Sequence, residues 1–126
     1  MSKYMFFRIL SFGLILLLIS CATSMTPTQV NSLLPRMTKA KFYSQVEAQE
    51  SIQNGGCKLL VAERKYRAPV GIAVSSDLRN GARGIDEWVR LDGGNAYFLK
   101  NYQWIPLDAS ETKNQLTIEF GTMLCN

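Results

Sequence analysis

Ser76-Asp77-Leu78-Arg79-Asn80-Gly81-Ala82-Arg83-Gly84-Ile85-Asp86-Glu87-Trp88-Val89-Arg90-Leu91-Asp92 is the stretch on which the fold turns. Leu78, Ala82, Ile85 and Val89 recur at steps of four, three and four, which lines one face of a helix with apolar side chains. Trp88 and Leu91 widen that stripe. Ser75, Ser76 or Asp77 can cap the start by accepting from the first free amides, and Gly93-Gly94 ends the helix. Asp86 and Arg90 stand one turn apart with the acid first, the favourable order. Gly81 and Gly84 each cost a helix about 1 kcal/mol relative to alanine. That cost is understandable where the helix must approach a sheet closely.

Outward from this helix the chain reads as strands and one more helix. Residues 41–46 suit a short strand, and residues 47–54 hold good helix formers that stop at Gly55-Gly56. Residues 57–64 read as a strand with Cys57, Leu59 and Val61 on one face, followed by a basic turn at 64–69 and a short extended piece at 70–74. Residues 95–107 are strand-like until Pro106, and 108–114 form a polar turn. Residues 115–125 alternate, with Leu116, Ile118 and Phe120 facing one way. The expected class is α+β: one main helix on a three- to four-stranded, mostly antiparallel sheet whose last two strands form a hairpin.

The N-terminal segment carries a different message. Lys3 and Arg8 precede an apolar run from Ile9 to Ile19, broken only by Ser11 and Gly13, and a small residue, Ser20, follows. A charged front, a short apolar middle and a small end make a secretory signal. The run is shorter than the roughly 20 apolar residues of a membrane span. Leu18-Ile19-Ser20-Cys21 resembles the bacterial lipobox. The resemblance implies cleavage before Cys21, a lipid on its sulfur and a further acyl chain, such as palmitate, on its amine. Two or more chains hold a protein stably on a membrane. A secretory signal with an incidental Cys21 and an uncleaved anchor are the alternatives. Ala22 is not the aspartate associated with inner-membrane retention, so the same resemblance points to the outer membrane, with the domain facing the periplasm.

On this reading residues 1–20 are the signal peptide, 21–38 the lipidated start and tether, and 39–126 the domain. Thr23, Ser24, Pro27 and Pro35 suit a tether, whereas Leu33, Leu34 and Met37 are able to dock on the domain or on a partner. Lys3 and Arg8 leave with the signal, so the 14 basic residues fall to 12 against 10 acidic ones, a net charge of +2. A surface so balanced gives no electrostatic case for nucleic acid. Of three cysteines, lipidation takes Cys21. A disulfide between Cys57 and Cys125 is then expected in an oxidising compartment, against the alternative of two free thiols.

The chain has no histidine, which removes the commonest general base and metal ligand. With the cysteines assigned, no thiol remains for catalysis or zinc. Asp86 and Glu87, and Asp77 and Asp92 near the helix ends, read as a solvated face; Glu47/Glu50 and Asp108/Glu111 have spacings common in surface turns. A carboxylate-only enzyme built on Asp86, Glu87 and Asp92 is the weakest reading. No Gly-rich phosphate loop is present. The expectation is a non-enzyme with no cofactor and no metal.

Two surface features remain. Arg64, Lys65 and Arg67 flank Tyr66, and Arg79, Arg83 and Arg90 decorate the helix; they are either ordinary solvated charges or contacts to anionic lipid, lipopolysaccharide phosphates or an acidic partner. Tyr97, Phe98, Tyr102 and Trp104 divide between core and partner surface, since aromatics favour interfaces. Tyr97, Tyr102 and Trp104 are the candidate partner surface, with Trp104 beside Pro106 expected to be exposed.

Gly56-Cys57 opening a strand, Leu78-Arg79-Asn80-Gly81-Ala82 in a helix, Gly93-Gly94-Asn95-Ala96 leading into a strand and a late Cys125 form a further pattern. It resembles a group of small outer-membrane lipoproteins that includes the sensor of the Rcs envelope-stress system and short relatives of unknown function. The resemblance covers residues 55–125. It implies a disulfide-locked fold, a cleaved signal, a lipid on Cys21 and a strand that passes beneath the helix at Ala96. The sensor has four cysteines in its folded domain and a longer proline-rich tether, so its signalling role is not carried over. The expected function is a lipid-anchored, protein-binding envelope domain, a subunit of an outer-membrane or secretion assembly or an envelope sensor. The alternative is an inhibitor or exclusion factor acting on a lysozyme-like enzyme or a phage receptor.

Overall fold

The computed structural model describes residues 27–107 and 113–126; the signal segment, Cys21, Asp108 and Glu111 lie outside the described residues. Seven elements follow in order: α1 (Pro27–Met37), β1 (Lys41–Tyr43), α2 (Gln45–Gln53), β2 (Cys57–Arg67), α3 (Val74–Leu91), β3 (Ala96–Pro106) and β4 (Asn114–Cys125). The fold is α+β, a four-stranded sheet in the order β1-β3-β4-β2 with helices on both faces. β4 lies between β2 and β3 and is antiparallel to both, while the short β1 joins β3 in parallel.

α3 buries Leu78, Gly81, Ala82, Gly84, Ile85 and Val89 against the sheet, as its stripe requires. It begins at Val74, so the piece at 70–74 is a connection rather than an extended strand. Ala73 stands at the N-cap with no side-chain bond to the helix. The expected capping by Asp77 does not occur; its carboxylate accepts from Gly71 N–H at 2.7 Å instead. The two helix glycines have the expected cause. A Cβ on Gly81 would lie 2.7 Å from Ile118 Cδ1, and one on Gly84 would overlap the Tyr66 ring. The helix stops at Gly93, whose φ of +79° suits glycine, with Gly94 N–H returning to Val89 O at 2.8 Å.

The sequence-based boundaries shift at three further places. The basic turn expected at 64–69 is strand up to Arg67, because Arg64 to Arg67 pair with Phe120 to Thr117 of β4. The strand expected at 41–46 ends at Tyr43, because Ser44 caps α2 by accepting from Glu47 N–H at 3.1 Å. The tether assigned to 21–38 is, from Pro27 on, a helix whose Val30 and Leu34 are fully buried. Their core partners include Leu78, Ile85, Tyr97, Leu116, Ile118 and Phe120. The domain therefore takes in α1 as well as the residues from 39 on. A leucine fully buried gains about 1.5–3 kcal/mol, enough to hold a helix that its composition alone would leave marginal.

A second cluster lies on the opposite face, under α2. Ala48, Ala96 and Met123 pack there with the Cys57–Cys125 disulfide, which joins directly paired residues of β2 and β4. Ala96 is fully buried, but beneath α2 rather than α3. Asn95 extends the sheet by side chain: its Nδ2 donates to Cys125 O at 2.7 Å and its Oδ1 accepts from Cys125 N–H at 2.8 Å.

Candidate partner-binding site

Because Ser44 turns the chain into α2, β1 covers only Ala96, Tyr97 and Phe98 of β3. β3 continues to Pro106, so among the described residues its outer edge from Leu99 to Pro106 has no strand beside it. Gln45 satisfies the first part of that edge, its Nε2 donating to Leu99 O at 3.0 Å and Lys100 O at 3.3 Å. Beside the Leu99–Tyr102 part of that edge lies an open groove of about 560 Å³ lined by Asn31 of α1, Phe42, Gln45, Leu99, Asn101 and Tyr102. A free strand edge is a template for another strand.

The three aromatic residues named as a partner surface fare differently. Tyr97 is fully buried and belongs to the core, so it leaves the candidate surface. Its hydroxyl lies 3.0 Å from Thr38 Oγ1, and burial pushes its pKa up to about 12, with the Thr38 bond opposing and the Asp86 charge adding a smaller push. Tyr102 and Trp104 are half-buried against the same core, edge to face with ring centroids 6.2 Å apart. Trp104 is therefore less exposed than its place beside Pro106 suggests. The register slips by one residue between Leu99 and Asn101, and that slip puts Tyr102 and Trp104 on the face of Tyr97 and Leu99. Tyr102 Oη and Trp104 Nε1 are buried without a hydrogen-bond partner among the described residues. Burial raises the Tyr102 pKa from its ordinary value.

The basic run around Tyr66 is not one patch. Arg64 lies 4.1 Å from the Trp88 ring centroid and donates from Nε to Asp92 Oδ2 at 3.2 Å and from a terminal nitrogen to Oδ1 at 2.5 Å. Thr122 Oγ1 adds a bond to Asp92 Oδ2 at 2.8 Å. Lys65, on the other face, stands 4.0 Å from Glu119. Arg67, Arg79 and Arg83 are exposed, and Arg90 pairs with Glu87 at 2.6 Å.

The carboxylates read as a solvated face are in part structural brackets. Asp86 accepts from Lys39 N–H at 2.9 and 3.0 Å and from Ala40 N–H at 2.9 Å, which fixes the passage from α1 to β1. Asp77 is buried, and the Asp92 side chain is only 7% exposed. Sequence reasoning did not find the roles of Asp86, Gln45 and Asn95; the polar side chains close to helix and strand ends were the available signal. Among the described residues no group of histidine, cysteine or carboxylate side chains could hold a metal ion, and no helix is long and apolar enough to cross a membrane. Compared with known protein families, with curated proteins and with solved structures, the chain matches none.

Proposed function

We propose that this chain is a lipid-anchored envelope protein, carried on Cys21, whose disulfide-locked domain binds a partner protein by accepting an extended segment along the open edge of β3. The observation that carries this reading is the edge from Leu99 to Pro106 with its groove. Strand addition draws affinity from backbone hydrogen bonds and specificity from pockets for alternate side chains. Tyr102, which lines the groove and is braced edge to face by Trp104, supports it as a rigid aromatic anchor of a type enriched at interfaces. The lipobox-like Leu18-Ile19-Ser20-Cys21 supports the anchor and the periplasmic face of the outer membrane as the place of action.

The test is photocrosslinking in living cells of the full-length protein, with the reactive residue at Asn101 or Gln103 on β3 and, as control, at Lys58 on β2. A discrete adduct with an envelope protein from β3 but not from β2 is the expected result. Equal or absent adducts from the two strands would overturn the edge as the site. An adduct with a lysozyme-like enzyme or a phage receptor would identify an inhibitor or exclusion factor acting through the same edge.

A further inference from the structure

The end of the domain remote from the disulfide carries apolar side chains that no described element covers. β2 reaches this end at Arg67, where Ala68 N–H donates to Leu116 O at 2.8 Å and Ala68 O accepts from Gln115 Nε2 at 3.3 Å. The connection 68–73 therefore sits beside the start of β4. β3 arrives at the same end, with Ile105 opposite Gln115, Pro106 opposite Asn114, and Leu107 N–H bonded to Lys113 O at 2.9 Å. Ile72 is fully exposed, Leu107 is 53% exposed, Val70 40% and Ile105 37%. A single exposed apolar residue is ordinary. Here four stand at one end of the domain.

The connection that presents Ile72 is firmly held. The buried Asp77 accepts from Gly71 N–H at 2.7 Å, and Asn80 Nδ2 donates to Pro69 O at 2.9 Å. Gly71 is packed so closely on Ser76 that a Cβ would collide with it. Burying a carboxylate is costly unless it is well bonded. Here it fixes a segment whose isoleucine points into solvent, an arrangement that gains nothing from packing within the domain.

α1 links this end to the anchor. The chain just past its last residues is pinned near the disulfide end, by Thr38 against Tyr97 and by Lys39 against Asp86. Asn31, mid-helix, shares the groove with Leu99, Asn101 and Tyr102, farther along β3. The helix thus runs along β3 with Pro27 directed toward the remote end. Five residues separate Cys21 from Pro27, so the six steps between them reach no more than about 20 Å.

We infer that this end is a membrane-docking surface: with Cys21 acylated, Val70, Ile72, Ile105 and Leu107 rest in the headgroup region of the bilayer that holds the lipid. The inference rests on the lipid-anchor reading of Cys21. Arg67 and Lys113, both exposed, stand at the same end and add attraction to anionic headgroups. Docking stands the strands across the membrane plane, so the β3 edge faces sideways along the membrane and the disulfide end points away from it.

The full-length, lipidated protein in vesicles of phosphatidylethanolamine and phosphatidylglycerol containing a brominated-chain phospholipid provides the test. Ile72→Trp is compared with Leu59→Trp at the disulfide end, against the common background of Trp88 and Trp104. Quenching of the added indole about twofold or more stronger in Ile72→Trp is expected for a side chain in the headgroup boundary. Equal quenching with an acyl chain found on Cys21 by mass spectrometry overturns the docking surface and leaves the anchor standing. An unmodified Cys21 overturns both. Shielding of Ile72→Trp only in native envelopes, and not in protein-free vesicles, assigns the patch to a protein and overturns a lipid surface.

Discussion

A carboxylate at a helix C-terminus faces the negative end of the helix dipole, yet Asp92 stands there, directly after α3. Arg64 explains it. Its paired hydrogen bonds hold the Asp92 carboxyl below the usual carboxylate range, burial opposes this, and Thr122 adds to the depression. A depressed folded pKa means stability that is present above the ordinary carboxylate value and lost as pH falls through the folded value. Thermal melts should therefore show the wild type losing stability below about pH 4, with Asp92→Asn lower at neutral pH but flatter across that acid window. Tyr97 works in the opposite sense. Its folded pKa is raised to about 12, so its contribution is full below its ordinary value and is lost as pH rises toward 12. Tyr97→Phe should remove part of the alkaline fall in melting temperature; an unchanged alkaline limb would contradict a buried, neutral tyrosine.

At the scale of elements, α1 is the piece whose composition says least and whose packing says most. Leu34→Ala should cost about 2–4 kcal/mol by cavity formation, read as a shift in the urea midpoint, whereas a mere tether would show no change. The disulfide ties β2 to β4 at their outer ends across 68 residues of sequence. The chain-entropy account assigns such a closure about 4 kcal/mol, so Cys57→Ala or Cys125→Ala should lower the melting temperature strongly. Identical melting with and without reductant would contradict it. α3 was legible in full apart from its start, because an apolar stripe is the direct record of a helix buried on one side. The end of β1 was not, since Ser44 as a cap and Val46 as a strand residue are locally equivalent.

At the scale of the molecule, three features gather on one frame. Cys21, proposed to carry the lipid, the apolar end and the open β3 edge are related through α1, which starts six residues after Cys21 and runs beside the β3 edge. Cys21→Ser should release the protein from the membrane fraction without lowering its melting temperature, because Cys21 lies six residues ahead of the first helix. A Cys21→Ser protein that remains in the outer-membrane fraction would refute the lipid anchor. The two interaction surfaces also separate by experiment, since docking depends on Ile72 and Leu107, and strand addition on the edge beyond Leu99.

The α+β class, the main helix and the alternating last strand were determined by sequence alone, and the pairing of Cys57 with Cys125 was expected from it with two free thiols as the alternative. Each of these leaves a local period or a countable residue behind. The tertiary structure alone decided that α1 belongs to the core and that Tyr97 is buried, while Tyr102 lines a groove and Trp104 packs half-buried on the core. It also decided that Asp86 and Asp92 serve as brackets. Those outcomes depend on partners 28–47 residues away, as in Arg64–Asp92 and Lys39–Asp86, and on a one-residue register slip in β3. No local period in the chain encodes a contact at that distance or a slip of that kind.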